Sequence, residues 1–331
     1  MEEILKRELG TAKLKSCGSA SGGCISNGTS YEADTGKVFV KTNEKTEAMR
    51  MFVGEEASLT TIHRTNTIRV PAPIKLFEHP RGTGGVFVME HLDMSSCGSM
   101  QAQLGTDLGR LHQHNIGLLR ACSAAESRIT GKSPSERGGG GDGGNGSGAE
   151  GHDDVAVSGV EQFGFECTTC CGFLPQDNTW CASWPEFYAR SRLQTQMDML
   201  AENHGDREAL QLWSEAQLKI DSFFRDVEVK PSLIHGDLWG GNVGQTATSP
   251  VVFDPASCYG HHEFDLGIGV MFGSFSPAFH NAYHKVVPKS PNFDKRTDLY
   301  QLFHHLNHWN HFGSGYRGSS ISLLRSVAKG L

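Results

Sequence analysis

Leu233-Ile234-His235-Gly236-Asp237-Leu238-Trp239-Gly240-Gly241-Asn242, followed by Asp254, is the stretch that decides the fold. An apolar lead-in places Asp237 in a glycine-containing turn, Asn242 follows at a spacing of Asp-x4-Asn, and a second apolar run precedes Asp254. Phosphoryl transfer uses one carboxylate to accept the proton of the acceptor hydroxyl, and amide and carboxylate oxygens to bind Mg²⁺ on the phosphates. The stretch therefore predicts Asp237 as the catalytic base and Asn242 and Asp254 as metal ligands.

The spacing matches the catalytic loop of protein kinases, and Asp254 stands where their D-F-G motif has its metal-binding aspartate. A simple β-turn is the alternative, because Asp, Gly and Asn are common turn residues, but the order of the upstream motifs favours the kinase interpretation. Two departures change the expected mechanism: Gly236 replaces the catalytic-loop arginine, and Pro255-Ala256 replaces the Phe-Gly that follows the metal-binding aspartate. We therefore expect a small acceptor hydroxyl and no activation gated by phosphorylation.

Lys41 closes a β-branched and aromatic strand, Val38-Phe39-Val40-Lys41, like the strand whose lysine holds the α- and β-phosphates in kinases. Residues 44–64 then predict a helix, in which Glu55 shares a face with apolar side chains. A carboxylate on an apolar helix face needs a partner, because burying it alone costs several kcal/mol or shifts its pKa. Glu55 is therefore the predicted partner of Lys41, with Glu56 as second choice. An exposed lysine at a strand end is the alternative.

Two further segments predict contacts with a nucleotide. A glycine-rich loop between two strands contains Gly22 and Gly23, where backbone N–H groups can approach phosphates that a Cβ would block. A plain turn is the alternative for this loop, which departs from the kinase pattern G-x-G-x-x-G. A later strand ends in Met89-Glu90-His91-Leu92, and the order of the motifs predicts this segment as the hinge that hydrogen-bonds adenine. A simple buried strand is the alternative here.

The composition is typical of a soluble globular enzyme. Of 331 residues, 37% are hydrophobic and 20% charged, and a net charge of −7 provides no basic surface for nucleic acid or acidic membranes. No apolar run approaches the roughly 20 residues of a membrane helix, and the charged N-terminus is not typical of a signal peptide. Nine irregularly spaced cysteines are then expected to be mostly reduced thiols. We expect a cytosolic enzyme with neither a nucleic-acid nor a membrane partner.

The order of these segments predicts an α+β protein of two lobes. Residues 1–91 are expected to form a small lobe built on an antiparallel sheet, and residues 92–331 a mostly helical catalytic lobe. A glycine-rich insertion at about 131–154 interrupts the second lobe. Such a tract cannot bury enough apolar surface to offset its ordering entropy, so it is predicted to be disordered.

Two groups of potential metal ligands stand outside these motifs. Cys167-x2-Cys170-Cys171 resembles half of a zinc site, but no second pair follows at a suitable spacing, which favours buried thiols. His304 and His308 share one face of the last long helix and could bind a metal. Because apolar residues surround them, structural or substrate-lining histidines are favoured.

Together these motifs resemble the fructosamine-3-kinase and ketosamine-3-kinase family, in particular its protein-ribulosamine 3-kinase branch. The segments that carry the resemblance cover nearly the whole chain outside the insertion: Gly22-Gly23-Cys24-Ile25-Ser26, Val38-Phe39-Val40-Lys41, Val88-Met89-Glu90-His91, His235-Gly236-Asp237-Leu238-Trp239-Gly240-Gly241-Asn242, Phe253-Asp254-Pro255-Ala256-Ser257 and Leu306-Asn307-His308-Trp309-Asn310-His311-Phe312-Gly313. The resemblance implies a protein-kinase-like fold shared with aminoglycoside and choline kinases, and ATP and Mg²⁺ as cofactors. It also implies phosphorylation of the sugar 3-hydroxyl of ketosamines, the rearranged adducts of sugars on protein lysines.

The same resemblance implies that the phosphorylated adduct is unstable and falls off, which repairs the lysine, and that ribulosamines and psicosamines are preferred over fructosamines. The expected substrates are glycated proteins or small ketosamines. We expect Trp239 to pack on the sugar face, with a lobe-core aromatic as the alternative, and Glu263 or Asp265 to lie near the acceptor. Two other functions stay open: a nucleotide-binding redox regulator without catalysis, and a kinase of another small alcohol such as choline or an aminoglycoside.

Cys24 directly follows Gly22 and Gly23 in the predicted phosphate loop. Backbone N–H groups and Lys41 nearby would favour its thiolate, and the resemblance adds that the family's loop carries this cysteine. We expect oxidation of Cys24 to switch the kinase off, with a disulfide between two chains as one route, so that the protein is a monomer or a redox-dependent homodimer. A small apolar residue packed under the loop is the alternative.

Overall fold

A five-stranded antiparallel sheet with the order β1-β2-β3-β5-β4 forms the first part of the molecule. The computed structural model describes residues 1–20, 26–130 and 158–331. The strands are β1 (Leu14–Ala20), β2 (Asn27–Ala33), β3 (Gly36–Asn43), β4 (Pro73–Glu78) and β5 (Gly85–Glu90). Helix α1 (Glu2–Leu9) precedes the sheet, and helix α2 (Ala48–Thr65) connects β3 to β4.

Strand β3 divides its side chains between two environments, as the two-residue period of a strand requires. Val38 and Val40 are buried in a small core on one face, together with Leu5 of α1. Phe39, on the opposite face, packs against the main core of the protein. Lys41 shares the face of Phe39, because it lies two residues further on, and this face is turned toward α2.

Helix α2 buries Phe52, Leu59 and Ile62, the face that the sequence predicts, but it begins at Ala48 instead of residue 44. Gly54 lies where this helix meets the second part of the chain. A Cβ at this position would lie 2.6 Å from the carbonyl oxygen of Thr168, so only glycine allows the two backbones to approach this closely. The contact fixes the turn of α2 that carries the next residue, Glu55.

Helices dominate the second part, as expected. They are α3 (Gln101–Thr130), α4 (Trp184–Phe187), α5 (Thr195–Asn203), α6 (Arg207–Ala216), α7 (Phe264–Met271), α8 (Pro277–Val286), α9 (Phe293–Phe312) and α10 (Arg317–Ala328). Two of the helical segments are not α-helices: residues Tyr188–Gln194 form a π-helix and Gln217–Phe224 form a 3₁₀-helix. The short strands are β6 (Ser95–Ser96), β7 (Thr169–Cys171), β8 (Leu174–Gln176), β9 (Ser232–Ile234), β10 (Val243–Gln245), β11 (Pro250–Val252) and β12 (Cys258–Gly260).

Two small antiparallel ladders position the segment from Leu233 to Asn242 and the following Asp254. Strand β9 pairs antiparallel with β12, so that Ile234 lies opposite Cys258. Strand β10 pairs antiparallel with β11 and with β6. Asp237 therefore follows the end of β9, while Asp254 lies in the connection between β11 and β12. The pairing of β9 with β12 brings these two aspartates, which have different predicted roles, to the same end of the ladder.

One contiguous hydrophobic core joins the two parts, since it contains Phe52 and Phe87 from the first and Trp184 and Leu306 from the second. The division into lobes at residue 91 falls directly after β5 and stays a prediction. The glycine-rich insertion at about 131–154 lies outside the described residues. The eight cysteines within the described ranges are free thiols. None of the helices in those ranges carries an apolar stretch of the length that crossing a bilayer requires.

Candidate active site

Lys41, Glu55 and Asp254 form an ion-pair cluster at the junction of the two parts, in which Lys41 is buried and the side chain of Asp254 is 32% exposed. The Nζ atom of Lys41 lies 2.6 Å from Oε1 of Glu55 and also forms an ion pair with Asp254. Burial alone lowers the pKa of Lys41, but the carboxylates of Asp254 and Glu55 outweigh this effect and raise it. Burial raises the pKa of Glu55 to about 7, although Lys41 opposes this shift. Of the two adjacent glutamates considered, Glu55 is therefore the partner, and Glu56 is not part of the cluster.

Asp237 and Asn242 are joined across the catalytic turn. The Nδ2 atom of Asn242 donates hydrogen bonds to the backbone oxygen of Asp237 at 2.9 Å and to its Oδ2 atom at 3.1 Å. With its nitrogen held toward Asp237, the amide presents its oxygen to the other side. Burial raises the pKa of Asp237 to about 7; the hydrogen bond from Asn242 opposes this shift, and the charges of Asp254 and Asp265 add to it. A carboxylate of this pKa is suited to accept a proton near neutral pH.

Asp265 holds the backbone that leads into the catalytic turn. Its Oδ2 and Oδ1 atoms accept hydrogen bonds from the backbone N–H groups of His235 and Gly236, both at 2.7 Å, and Oδ2 lies 3.0 Å from Nε2 of His112. Asp265 is completely buried. Burial would raise its pKa, but the hydrogen bond and charge of His112 together with the other contacts lower it. The aspartate therefore stays ionised and acts as a positioning residue for Asp237.

Glu263 and Asp265, one of which is expected near the acceptor, are both engaged by protein partners. Glu263 is 3% exposed and makes a two-pronged ion pair with Arg296, at 2.7 Å to Nε and 2.8 Å to the second guanidinium nitrogen. Asp265 has both oxygens engaged as described. Neither residue lines the cavities next to Asp237. Both carboxylates stabilise the C-terminal lobe instead of contacting a substrate.

Gly236 and Ala256, the two departures from the protein-kinase pattern, contact each other. Gly236 has a φ of 86°, and a Cβ at this position would overlap the carbonyl oxygen of Ala256. The N–H of Ala256 in turn donates to the backbone oxygen of His235 at 2.8 Å. An arginine at residue 236 is therefore incompatible with this arrangement of the two loops.

Two cavities meet at Phe39 and Asp254, which line both. The larger has a volume of about 800 Å³, and its wall includes the predicted hinge residues Met89, Glu90, His91 and Leu92. The smaller has a volume of about 220 Å³, and its wall includes Lys41, Glu55, Asp237 and Asn242. Asp254 has a φ of 57°, which is uncommon for a residue with a side chain, and it lines both cavities. Asp254 therefore lies between the larger cavity and the smaller cavity that contains Asp237.

Side chains fix the hinge from both sides. Glu90 forms an ion pair with Arg69 and accepts a hydrogen bond from the backbone N–H of Ala72 at 3.2 Å. The ring nitrogens of His91 lie 3.1 Å from Oγ of Ser30 and 3.0 Å from Oδ1 of Asp93. These side chains are occupied by protein partners, so an adenine ring would contact the segment through its backbone.

Trp239 stands on the wall of the smaller cavity and is not a lobe-core residue. It is half-buried, and its ring packs on Phe272 with a centroid distance of 5.0 Å. His308, His311 and Phe312 of α9 line the same cavity. This position agrees with the expected contact to a sugar, and it brings two histidines of α9 into the wall as well.

His304 has a different environment from its neighbours on α9. It is completely buried between Phe264 and Phe303, at centroid distances of 5.0 and 5.1 Å. Neither ring nitrogen has a hydrogen-bond partner among the described residues. Burial lowers its pKa to about 3, so the ring is neutral at neutral pH. Cys170 and Cys171 of β7, singled out from the sequence, line the smaller cavity nearby.

Gly22, Gly23 and Cys24 lie outside the described residues, so the phosphate loop and the redox role of Cys24 stay predictions. Sequence reasoning assigned no role to His112 and Arg296, and missed the structural role of Asp265. No local pattern could have found these pairs, because His112 and Asp265 are 153 residues apart, and Arg296 and Glu263 are 33 apart.

Comparisons of the sequence with known proteins agree with this geometry. The profile of the fructosamine kinase family matches residues 1–120 and 148–329. The ketosamine-3-kinase of Mus musculus is 53% identical over 329 residues, which are 99% of this chain and 100% of the mouse protein. The chloroplastic protein-ribulosamine 3-kinase of Arabidopsis thaliana is 35% identical over 325 residues, which are 98% of this chain and 86% of the plant protein.

Solved structures confirm the fold. A Thermobifida fusca protein assigned as a candidate fructosamine-3-kinase has a TM-score of 0.73 at 23% identity, with 99% of each chain covered. The aminoglycoside phosphotransferase APH(4)-Ia, solved with AMP-PNP and hygromycin B, has a TM-score of 0.55 at 12% identity, with 98% of each chain covered. The two-lobed, protein-kinase-like fold expected from the sequence is therefore correct. Taken with the family profile and the mouse relative, this shows that the chain belongs to the fructosamine kinase family and is an ATP-using kinase of ketosamines.

Proposed function

We propose that the protein transfers the γ-phosphoryl group of ATP to the sugar 3-hydroxyl of ribulosamines and psicosamines on glycated proteins, and that loss of the phosphorylated adduct repairs the lysine. The observation that carries the proposal is the meeting of two cavities at Asp254, with Asp237 on the wall of the smaller one. The names of the mouse and plant relatives, ketosamine-3-kinase and protein-ribulosamine 3-kinase, support this class of acceptor.

Asp237 is the proposed general base. Its carboxylate reaches the smaller cavity, where an acceptor hydroxyl would lie, and Asn242 holds one of its oxygens in place. A pKa raised to about 7 keeps a useful fraction deprotonated while making the carboxylate a stronger base than an exposed aspartate. General-base catalysis of this kind contributes roughly 10²- to 10⁴-fold, and positioning and electrostatics supply most of the rest.

The residues present fit Mg²⁺. Its preferred ligands are hard oxygens, supplied by carboxylates and by the phosphates of the nucleotide. Asp254 offers a carboxylate at the junction of the cavities, and Asn242 presents its amide oxygen away from Asp237. When bound, the ion neutralises charge on the phosphates. Lys41, now paired with Asp254 and Glu55, adds a fixed positive charge on the same side.

The shape of the smaller cavity supports a sugar acceptor. Its volume of about 220 Å³ suits one sugar unit but not a folded protein, so a glycated lysine would have to reach in from outside. Trp239 offers an aromatic face against which the apolar side of a sugar can pack. We also propose a cytosolic location and a monomer that can form a dimer through Cys24, supported by the composition and by the sequence around that cysteine.

The test is a panel of acceptors with purified protein, ATP and Mg²⁺: ribulose-lysine, psicose-lysine, fructose-lysine, choline and an aminoglycoside. ADP release measures turnover, and NMR of the product locates the new phosphate. We expect the ribulosamine and psicosamine to be phosphorylated on the 3-hydroxyl in preference to the fructosamine, and free lysine to appear afterwards.

Asp237→Asn should abolish ADP release, whereas Asp294→Asn, at a side chain that is 92% exposed, should not change it. Turnover of choline or the aminoglycoside alone would overturn the assigned acceptor. Nucleotide binding without ADP release from any acceptor would favour the regulator, and equal turnover by Asp237→Asn would remove the base from its role.

A further inference from the structure

Cys171, His304 and Asp237 converge at the wall of the smaller cavity. The Sγ atom of Cys171, a ring nitrogen of His304 and a carboxylate oxygen of Asp237 all lie within 4.8 Å of one another. They come from three distant segments: strand β7, helix α9 and the catalytic turn. We propose that these three side chains form a site for a thiophilic divalent metal ion of the Zn²⁺ class, and that its occupation inhibits the kinase.

The chemistry of the three groups matches such an ion. Zinc sites combine thiolate, imidazole and carboxylate ligands, and the distances within them place tetrahedral ligand atoms about 3.3 to 3.6 Å apart. Because the present atoms lie within 4.8 Å of one another, a contraction of at most about 1.5 Å would bring them to that geometry. One thiolate and one carboxylate balance the two positive charges of the ion, while His304 is neutral. The buried site would thus carry no net charge, which avoids the cost of an unpaired charge in the interior.

His304 provides an independent reason to expect a ligand. It is completely buried, yet both ring nitrogens lack a hydrogen-bond partner in the part of the chain that the structure describes. Buried polar atoms in native proteins are nearly always satisfied, so such a side chain calls for a partner. Within the described ranges, the thiol of Cys171 makes one hydrogen bond, a long contact of 3.6 Å to Oδ1 of Asn307. Both groups are available to an incoming ion.

The site is accessible and distinct from the place proposed for Mg²⁺. Cys171 and Asp237 both line the smaller cavity, which gives an ion a path to the site. Sulfur and imidazole nitrogen select Zn²⁺ or Cd²⁺ and are poor ligands for Mg²⁺, which takes the oxygens of Asn242 and Asp254. The two kinds of metal are thereby sorted by ligand type.

Inhibition follows from the shared residue. A carboxylate of Asp237 that coordinates a metal cannot accept the proton of an acceptor hydroxyl. The binding part of the proposal stands without the proposed function, whereas the inhibitory part rests on it. The two parts are therefore measured separately.

Binding is measured with Cd²⁺, whose bond to a thiolate gives an ultraviolet charge-transfer absorption, in metal-free protein kept reduced with a phosphine. We expect one tight equivalent in the wild type. Cys171→Ser should abolish this band. His304→Gln should weaken Cd²⁺ binding about 100-fold or more, because losing a metal ligand should cost at least as much affinity as losing a residue that hydrogen-bonds a ligand. Cys170→Ser, at the neighbouring residue of β7, is the matched control and should keep the tight equivalent.

A measurement on the wild type covers the case in which the variants fail to fold: Zn²⁺ should protect Cys171 from alkylation, as followed by peptide mass spectrometry. Unchanged alkylation of Cys171, or an unchanged tight equivalent in folded Cys171→Ser, overturns the site and leaves the kinase assignment untouched.

Activity is measured with micromolar Zn²⁺ at saturating Mg²⁺. We expect inhibition of the wild type that a pyridyl-amine chelator, which leaves Mg²⁺ in place, reverses and that additional Mg²⁺ does not. Binding at Cys171 without inhibition would overturn the regulatory part and would count against Asp237 as the base, while the metal site itself would stand.

Discussion

Asp265→Asn tests whether a buried carboxylate, remote from any substrate, positions the catalytic base. The variant keeps the shape of the side chain but exchanges one acceptor oxygen for a donor NH₂ group. Because His235 and Gly236 both donate backbone N–H groups at 2.7 Å, one of these must face another donor. The buried backbone is then left with an unsatisfied N–H.

The expected loss of stability can be worked from these contacts. Hydrogen bonds to a charged group contribute about 1.5–3 kcal/mol each, and an unsatisfied buried donor costs about 1–3 kcal/mol. Asp265→Asn loses one such bond, weakens the two that remain and creates one unsatisfied donor. We expect the free energy of unfolding to fall by about 3–5 kcal/mol, the range found when one partner of a buried pair is removed. A shift of the turn by about 1 Å would also lower kcat by about 100-fold.

Unfolding in urea measures the free energy of unfolding, and ADP release measures kcat. Asp294→Asn is the control at an exposed carboxylate. The pKa of Asp265 is lower in the fold than its ordinary value of 3.8. The ionised Asp265 therefore contributes to the free energy of unfolding at pH values above 3.8, and this contribution is lost as the pH falls through the pKa of the folded state. The difference in free energy of unfolding between wild type and Asp265→Asn should be constant from neutral pH down to about 4 and should shrink below it. Unchanged stability at pH 7 would refute the reasoning.

Other changes test the base, the ion pair and the contact between the two loops. Burial raises the pKa of Asp237 to about 7, and the deprotonated form is the base, so kcat/KM should fall about tenfold per pH unit below pH 7. A fall that begins only near pH 4, the ordinary pKa range of an aspartate, would contradict this. Glu55→Gln should lower kcat/KM for ATP about 10- to 100-fold, since the phosphate-binding lysine loses one of its two carboxylates, and Glu56→Gln should change nothing. Gly236→Ala should cost about 3 kcal/mol or more in urea unfolding, because of its positive φ and a neighbouring carbonyl, while Gly98→Ala, with open space around it, should cost little.

The sequence predicts best what depends on local periodicity. Alternation along Val38-Phe39-Val40-Lys41 places the lysine on the inner face of the sheet, and helical periodicity selects Glu55 over Glu56 as its partner. The structure pairs these two residues at 2.6 Å. The order of the motifs along the chain also suffices to predict the fold, since each motif has one place in a kinase-like architecture.

Partners of buried charges could not be predicted in this way. Proximity to Asp254 in sequence suggests Glu263 and Asp265 as neighbours of the acceptor, but their partners are Arg296 and His112, which only the packing of α3, α7 and α9 brings within reach. The same holds for His304, whose spacing from other histidines indicates a shared helix face but not the cysteine and aspartate that lie beside it. A pattern in one element gives the direction of a side chain, and the partner depends on the tertiary fold.

The short ladder of β9 and β12 holds both the predicted base and the predicted metal-binding aspartate in position. Asp237 follows one strand and Asp254 precedes the other, and the N–H of Ala256 donates a hydrogen bond to the backbone oxygen of His235 between them. Opening this ladder therefore frees both aspartates at once. We therefore expect local unfolding at the site to be cooperative. We expect inactivation by heat or denaturant to be all-or-none for each molecule. A sample with half of its activity would then be a mixture of fully active and fully inactive enzymes.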